Sequence, residues 1–533
     1  MKKIQIKLLG VSLLLMVMLF PSCTNDLDQS PESTNAVPGD EFFKTPASYK
    51  QFLSKLYAGF ATSGQTAAGS PDISGIDEGE SQYIRGFWLM QELTTDEAVI
   101  AWNDGTIKDL HSQTWTSLDR FITATFARFS FQVVNCNEFL RQTTDEKLAA
   151  RGVTDPALLA EIKTFRAEAR FLRAITYWHL IDMFGGGSLV TENSPSTFFY
   201  PDYATRAELY KFVDEELTAI TPELKAPKSN EAYRVDQAAA WMLQAKLYMN
   251  AKVYVGTDNY AGALPLINKV IASGYRLHNN YNQLFYADND KNGAQNEFIF
   301  AIAFDGLKTQ TYGGTTFLTH APVGGSMRAS EFGVNGGWAG IRTTSAFVDK
   351  FEPNTTDARG QFYTDGQTKE IADIGNFTDG YAVQKFRNID VNGVQGSDKS
   401  GEFTDQDFPM FRLADAYLMY AECAVVGRVG DLATARGYVN ALRTRANAST
   451  VASLNADAAG ANLILDERAR ELHWEGHRRT DLIRFGRFTG GTYVWPWKGN
   501  VAGGAPTQAF RNLFPIPATA LASNPKLKQN QGY

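Results

Sequence analysis

PALLAEIKTFRAEARFLRAITYWHLIDMF, residues 156 to 184, decides the fold class. Leu159, Ile162, Phe165, Ala169, Leu172 and Trp178 recur at three- and four-residue spacing, which puts them near one stripe of an α-helix. Asp155-Pro156 offers a side-chain acceptor and a preset φ where such a helix must begin. Gly185-Gly186-Gly187 stops it, in the order that helix ends require. The same periodicity predicts helices at about 46 to 61, 117 to 142, 206 to 222, 234 to 254, 259 to 273, 411 to 427, 431 to 447 and 463 to 485. The chain is therefore expected to be mostly α.

Several of these segments are adjacent pairs with a short break, 234 to 254 with 259 to 273 and 411 to 427 with 431 to 447 among them. Small residues such as Ala238, Ala245, Ala421 and Ala424 recur where paired helices must approach. Tetratricopeptide-like hairpins stack in this way because one pair cannot bury its own apolar face. The pattern predicts a scaffold of such pairs, against the alternative of an irregular helical domain. Three segments interrupt it: Gly64 to Thr116, a loop-rich insertion at about 275 to 410, and Thr489 to Asn512. The insertion is glycine-rich and aromatic, with short strand-like runs such as EFIFAIAF from Glu297 to Phe304. Loops of that length in a compact body usually carry function, and the site is expected where the three meet.

The N-terminus reads as a lipoprotein leader. Lys2, Lys3 and Lys7 precede an apolar run from Leu8 to Phe20 that is too short to span a bilayer, and Ser22 stands before Cys23. Residues 1 to 22 are read as a signal peptide, Cys23 as the lipidated residue, and residues 24 to 38 as a polar, acidic tether. Residues 39 to 533 are read as a single body, since no Pro/Ser linker or low-complexity tract divides them. Formal net charge is −7 at pH 7, and losing the three leader lysines makes the mature chain more acidic still. That argues against nucleic acid as a partner, and membrane contact is assigned to the lipid instead of to basic patches. Cys136 and Cys423 lie in apolar helical stretches and read as small core residues, their pairing left open.

Charge is densest in DERARELHWEGHRRTDLIRFG, from Asp466 to Gly486. There His473 and His477 stand four apart, a spacing that can present two imidazoles to one zinc ion. No third ligand is evident, Arg478 and Arg479 oppose a cation, and the block reads as ion pairs. DNDKNG, from Asp288 to Gly293, matches the first half of a calcium loop, but position twelve is Ile299 and an Asx/Gly turn is the preferred reading. No cofactor or metal is therefore assigned. No GxSxG elbow or phosphate cradle is present, and no acid pair is placed for glycoside hydrolysis. The aromatics say more. Trp178, Trp241 and Trp474 sit at helical spacing and read as core, whereas Trp102, Tyr312, Trp338, Trp495 and Trp497 sit in polar or glycine-rich loops. An indole or phenol on a loop offers a flat apolar face with a polar rim, suited to stacking on a sugar ring.

LTTDEAVIAW (Leu93 to Trp102), FRAEARFLRAITYWHLIDMFGG (Phe165 to Gly186), FRLADAYLMYAE (Phe411 to Glu422) and ERARELHWEGHRRTDLIRFG together resemble the SusD/RagB family of outer-membrane nutrient-binding lipoproteins. The resemblance spans nearly the whole mature chain. It implies a mostly α fold of tetratricopeptide-like helical pairs with long elaborated loops and a few short strands, and a non-catalytic, lipid-anchored protein at the cell surface. It further implies delivery of glycan to a SusC-like TonB-dependent transporter as partner. The loops are most similar to those of the family's starch-binding founder. By that similarity Trp102, Tyr312 and Trp338 would form a stacking platform for an α-glucan, with Arg85, Asn103 and Asp104 bonding its hydroxyls. The alternatives are another polysaccharide in the same role, a glycoside hydrolase, or a protein-binding helical-repeat scaffold.

Overall fold

The computed structural model describes residues 39–64, 68–353 and 355–533, so the leader, Cys23 and the tether lie outside the described residues. The helix Pro156–Phe184 forms as its sequence dictates. Asp155 accepts from the Ala157 amide, Pro156 occupies the first turn, and Gly185 leaves the helix at φ 75°. Its first half is amphipathic, but every residue from Phe171 to Phe184 is buried, so the second half runs through the middle of the molecule. Asp119 caps Arg120–Gln142 by accepting from the Phe121 and Ile122 amides, and Thr205 with Glu208 forms a reciprocal capping box on Arg206–Ile220.

The scaffold is a run of neighbouring helices. Arg120–Gln142 packs on Pro156–Phe184, which packs on Arg206–Ile220; Gln237–Met249 packs on Tyr260–Ile271, which leads to Leu413–Val425 and then to Leu432–Arg445. Ala238, Ala245, Ala421 and Ala424 are all buried, which lets the paired helices close. Strands are few and short. Val99–Ile100 pairs with Ile341–Arg342, Gly187–Ser188 with Tyr203–Ala204, Phe298–Ile302 with Phe408–Arg412, and Phe362–Tyr363 with Ala382–Val383, all antiparallel. One hydrophobic cluster extends from Phe43 to Ile516, and a smaller one around Phe332 and Phe377 lies under the insertion.

Three expectations need correction. The segment 463 to 485 is two helices, Ala458–Leu472 and Arg478–Arg484. The chain breaks because Trp474 and Gly476 take φ of 64° and 85°, and a Cβ on Gly476 would come within 2.0 Å of the Phe87 ring. The i, i+4 relation of His473 and His477 therefore has no helical meaning. Second, Gly64 to Thr116 contains the helices Tyr83–Gln91 and Ile107–Ser112. YIRGFWLMQ is only nine residues long, and all of it but Arg85 is buried. Third, Trp241 is only half-buried, with the Lys269 ammonium 5.4 Å from its ring, whereas Trp178 and Trp474 are core.

The charged block is internal. Arg412 meets Glu297 at 2.9 Å, Glu471 at 2.7 Å and Glu475 at 2.6 Å, while Arg359 meets Asp357, Glu467 and Glu471. Arg468 holds Asp415 and Asp481, Arg478 holds Asp96, and Arg479 holds Asp182. Nearby guanidinium groups outweigh burial and bring Glu467, Glu471 and Asp481 down to about 2. Cys136 and Cys423 are both free and buried.

Candidate functional site

The two-residue sheet that joins Val99–Ile100 to Ile341–Arg342 brings two loops of the sequence together. Ile100 lies opposite Ile341, and the Ala101 amide donates to the Gly340 carbonyl at 2.8 Å. One residue further on, the Trp102 indole donates to the Trp338 carbonyl at 2.9 Å. The indole can lie there because Gly340 has no side chain; a Cβ on it would be 2.2 Å from the Trp102 ring. Arg342 pins the second strand from below, donating to the carbonyls of Asp379 at 2.8 Å and Ile374 at 2.9 Å. Burial brings its pKa down to about 10.

Around this clamp the side chains form a closed circuit. Trp102 and Trp338 lie 6.2 Å apart, centroid to centroid, and Trp338 stacks on His320 at 4.8 Å with an interplanar angle of 20°. His320 faces two carbonyls, Gly336 O from Nδ1 at 2.7 Å and Glu402 O from Nε2 at 3.1 Å. The Glu402 carboxylate accepts from the Tyr312 hydroxyl at 2.5 Å, which with burial raises the phenol to about 12. Arg85 Nη1 donates to the Tyr312 carbonyl at 3.4 Å, and its guanidinium lies 4.6 Å from the Phe317 ring centroid. Phe317 closes the circuit with an edge-on contact to Trp102 at 6.2 Å. Burial lowers the Arg85 pKa against the pull of Glu80, Asp77, Glu78 and Asp104, and its Nε has no hydrogen-bond partner among the described residues.

Of the residues singled out in sequence, Trp102, Trp338, Tyr312 and Arg85 thus belong to one connected surface. Tyr312 is 37% exposed and the two indoles are half-buried. Asn103 and Asp104 stand exposed beside Trp102, and neither side chain makes a hydrogen bond or ion pair among the described residues. Sequence reading missed His320, Phe317 and Glu402. The first two share one face of the short helix Gly314–His320, three residues apart, a signal present in GTTFLTH but hidden inside a glycine-rich stretch. Glu402 gave no local signal. The segments 64 to 116 and 275 to 410 meet at this surface, whereas 489 to 512 packs behind it: Tyr493 donates to Asp96 and Thr507 to Gln113. Trp495 is buried, and the Trp497 indole donates to the Ile371 carbonyl, so both anchor loops.

His473 and His477 face no common ligand. The His473 ring faces the Arg470 carbonyl, and burial holds His477 at about 3. Asp288 is engaged by the Asn292 amide group and the Val391 N–H, within a turn that Gly293 closes at φ 105°. Among the described residues no group of three or more His, Cys, Asp or Glu converges as a metal site.

A model of the SusD family matches residues 354–533. The chain is 35% identical to the starch-binding protein SusD of Bacteroides thetaiotaomicron, over 96% of each sequence. Among solved structures, a SusD superfamily protein from Bacteroides vulgatus has a TM-score of 0.69 at 18% identity, covering 92% of this chain and 100% of that one. Surface glycan-binding protein A from Bacteroides uniformis has a TM-score of 0.66, also at 18% identity, covering 91% and 99%. At that identity the structural likeness concerns the fold.

Proposed function

Because the chain belongs to the SusD family, whose proteins bind glycans without cleaving them, we propose that it captures starch-like malto-oligosaccharides at the cell surface and passes them to a partner TonB-dependent transporter. The observation that carries this reading is the connected surface of Trp102, Trp338, Tyr312 and Arg85, with the uncommitted side chains of Asn103 and Asp104 at its edge. Two indoles inclined at 48° and a phenol beyond them suit a curved chain of sugar rings better than a flat one. Arg85, Asn103 and Asp104 supply donors and acceptors for hydroxyls. The 35% identity to a starch-binding protein supports α-glucan as the ligand. The glycoside hydrolase alternative falls with the family assignment.

In this reading Cys23 carries the lipid that holds the protein to the outer membrane, and residues 24 to 38 are the tether. Holding several binders near polymer raises effective concentration, which offsets a modest affinity per site. The test is affinity electrophoresis on amylopectin, pullulan, inulin and xylan. Retardation by the α-glucans alone, abolished by Trp102→Ala with Trp338→Ala, is expected. Equal mobility with and without α-glucan, or retardation unchanged in the double variant, rejects it. Loss of palmitate labelling in Cys23→Ala tests the anchor.

A further inference from the structure

A long concavity runs beside the helix Pro46–Ala61 and is lined in part by residues 307 to 310, in the loop that leads to Tyr312. It consists of a chamber of about 320 Å³ and an open trough of about 600 Å³, which meet at Ser54, Ala58 and Thr309. From Gln51 to Thr62 the trough follows the helix for about 16 Å at 1.5 Å per residue, longer than one sugar ring. We propose that this trough is a second glycan subsite, which takes the α-glucan chain where it leaves the platform. The proposal rests on the reading of the platform given above.

Two observations carry it. The first is chemical: Gln51, Lys55 and Asn135 line the trough, and none makes a hydrogen bond or ion pair among the described residues. Two planar amides and an ammonium are thus uncommitted beside the half-buried ring of Phe131, over which the Arg128 guanidinium lies at 5.4 Å, so that polar groups and an aromatic side chain share one wall as a hydroxylated ring requires. Two acids bear on the trough's charge: Asp72 in its wall is paired with Arg128 at 2.6 Å, and Lys308 is offset by Asp305 at 3.4 Å. Neither a basic stripe nor an acidic one is left to favour a charged polymer.

The second is continuity. Gln310 lines the trough and Tyr312 stands on the platform, two residues and at most about 7 Å of chain apart. Thr311 between them turns inward, its hydroxyl donating at 2.7 Å to the buried Glu78, which Ser63 also engages at 2.8 Å. The loop is therefore held in place between trough and platform, with Gln310, whose amide donates to the Gly306 carbonyl at 3.3 Å, on the one and Tyr312 on the other.

The experiment is calorimetry with maltotriose and maltodecaose on the wild type, on Phe131→Ala with Asn135→Ala, and on Gln51→Ala with Lys55→Ala from the opposite wall. The wild type should bind the decamer at least tenfold more tightly than the trimer. Both variants should keep trimer affinity within twofold and lose most of the gain with length. An undiminished length dependence in both variants overturns the subsite and leaves the platform standing. So does a wild type that binds the two sugars equally. Binding of neither sugar by the wild type overturns the platform reading itself, and the subsite with it.

Discussion

The charged block of the C-terminal third and the aromatic surface around Trp102 differ in one respect that separates architecture from recognition. In the block, Arg412, Glu471, Glu475, Glu297 and Arg445 pair with one another at almost no exposure, so most of the densest chemistry in the sequence is consumed inside the fold. On the aromatic surface few groups are charged, but Asn103 and Asp104 are uncommitted and the rings are partly open to solvent. Density of functional residue types is a poor guide to a site. Polar groups left without partners, held beside apolar faces by a rigid frame, are a better one.

Mutation can test that contrast. The largest effect belongs to the block: Arg412→Ala takes one cation from each of three buried carboxylates, leaving Glu297 and Glu471 to Arg445 and Glu475 to Lys385, and should cost about 3–5 kcal/mol of stability, read by urea unfolding. Any residual folded protein should bind glycan normally; a selective loss of binding would erase the distinction. Next is Trp102→Ala, which should weaken α-glucan binding by about 1–3 kcal/mol, the scale of one stacked ring, with little change in melting temperature. A variant that unfolds without a binding defect would return Trp102 to the architecture.

Glu402→Gln should have a smaller effect, about 1 kcal/mol, because the Tyr312 hydroxyl keeps a partner but loses a charged one. Tyr312 should then titrate below about 12, nearer an ordinary phenol, seen in its ring carbon resonance. The smallest expected effect is on pH dependence. Burial pushes Glu92 up to about 7 and Glu97 higher still, so the pair keeps a proton that the unfolded chain releases near 4.5. Its contribution to stability is present below that value and is lost as pH rises through about 7. Glu92→Gln, which mimics the protonated acid, should remove Glu92's share of that decline, so its melting temperature relative to the wild type rises between pH 5 and 8. On the acid side, burial lowers His111, His179 and His477 to about 3, so the folded state resists protons the unfolded chain takes up. Stability should fall as pH drops below 6.5 in the variant and wild type alike.

The helices were legible where one face is apolar and the ends carry caps, as in Pro156–Phe184 and Arg120–Gln142. Tyr83–Gln91 was not read because it is short, nine residues with neither an acidic residue in its first turn nor a basic one in its last, and lies inside an irregular stretch. The break at Trp474 was hidden for another reason. A left-handed tryptophan is a tertiary compromise, fixed by its amide on Glu97 Oε2 and its indole on the Glu97 carbonyl, both at 3.2 Å. Of the aromatic surface, the stacking rings could be read from their loop settings, and Arg85, Asn103 and Asp104 from family resemblance. His320 and Glu402 could not, since their roles arise from loops that meet only in three dimensions.

The bond between the Trp102 indole and the Trp338 carbonyl closes a span of 236 residues with a sheet only two residues long on each side. Neither loop carries the surface alone, so a chain emerging N-terminus first has no receptor to offer until well over half of it has been delivered. Closing so distant a contact is slow compared with forming the local helices. With the proposed site, competence to bind is thus acquired late, after the scaffold has condensed, and a truncated or half-folded chain should not bind sugar there.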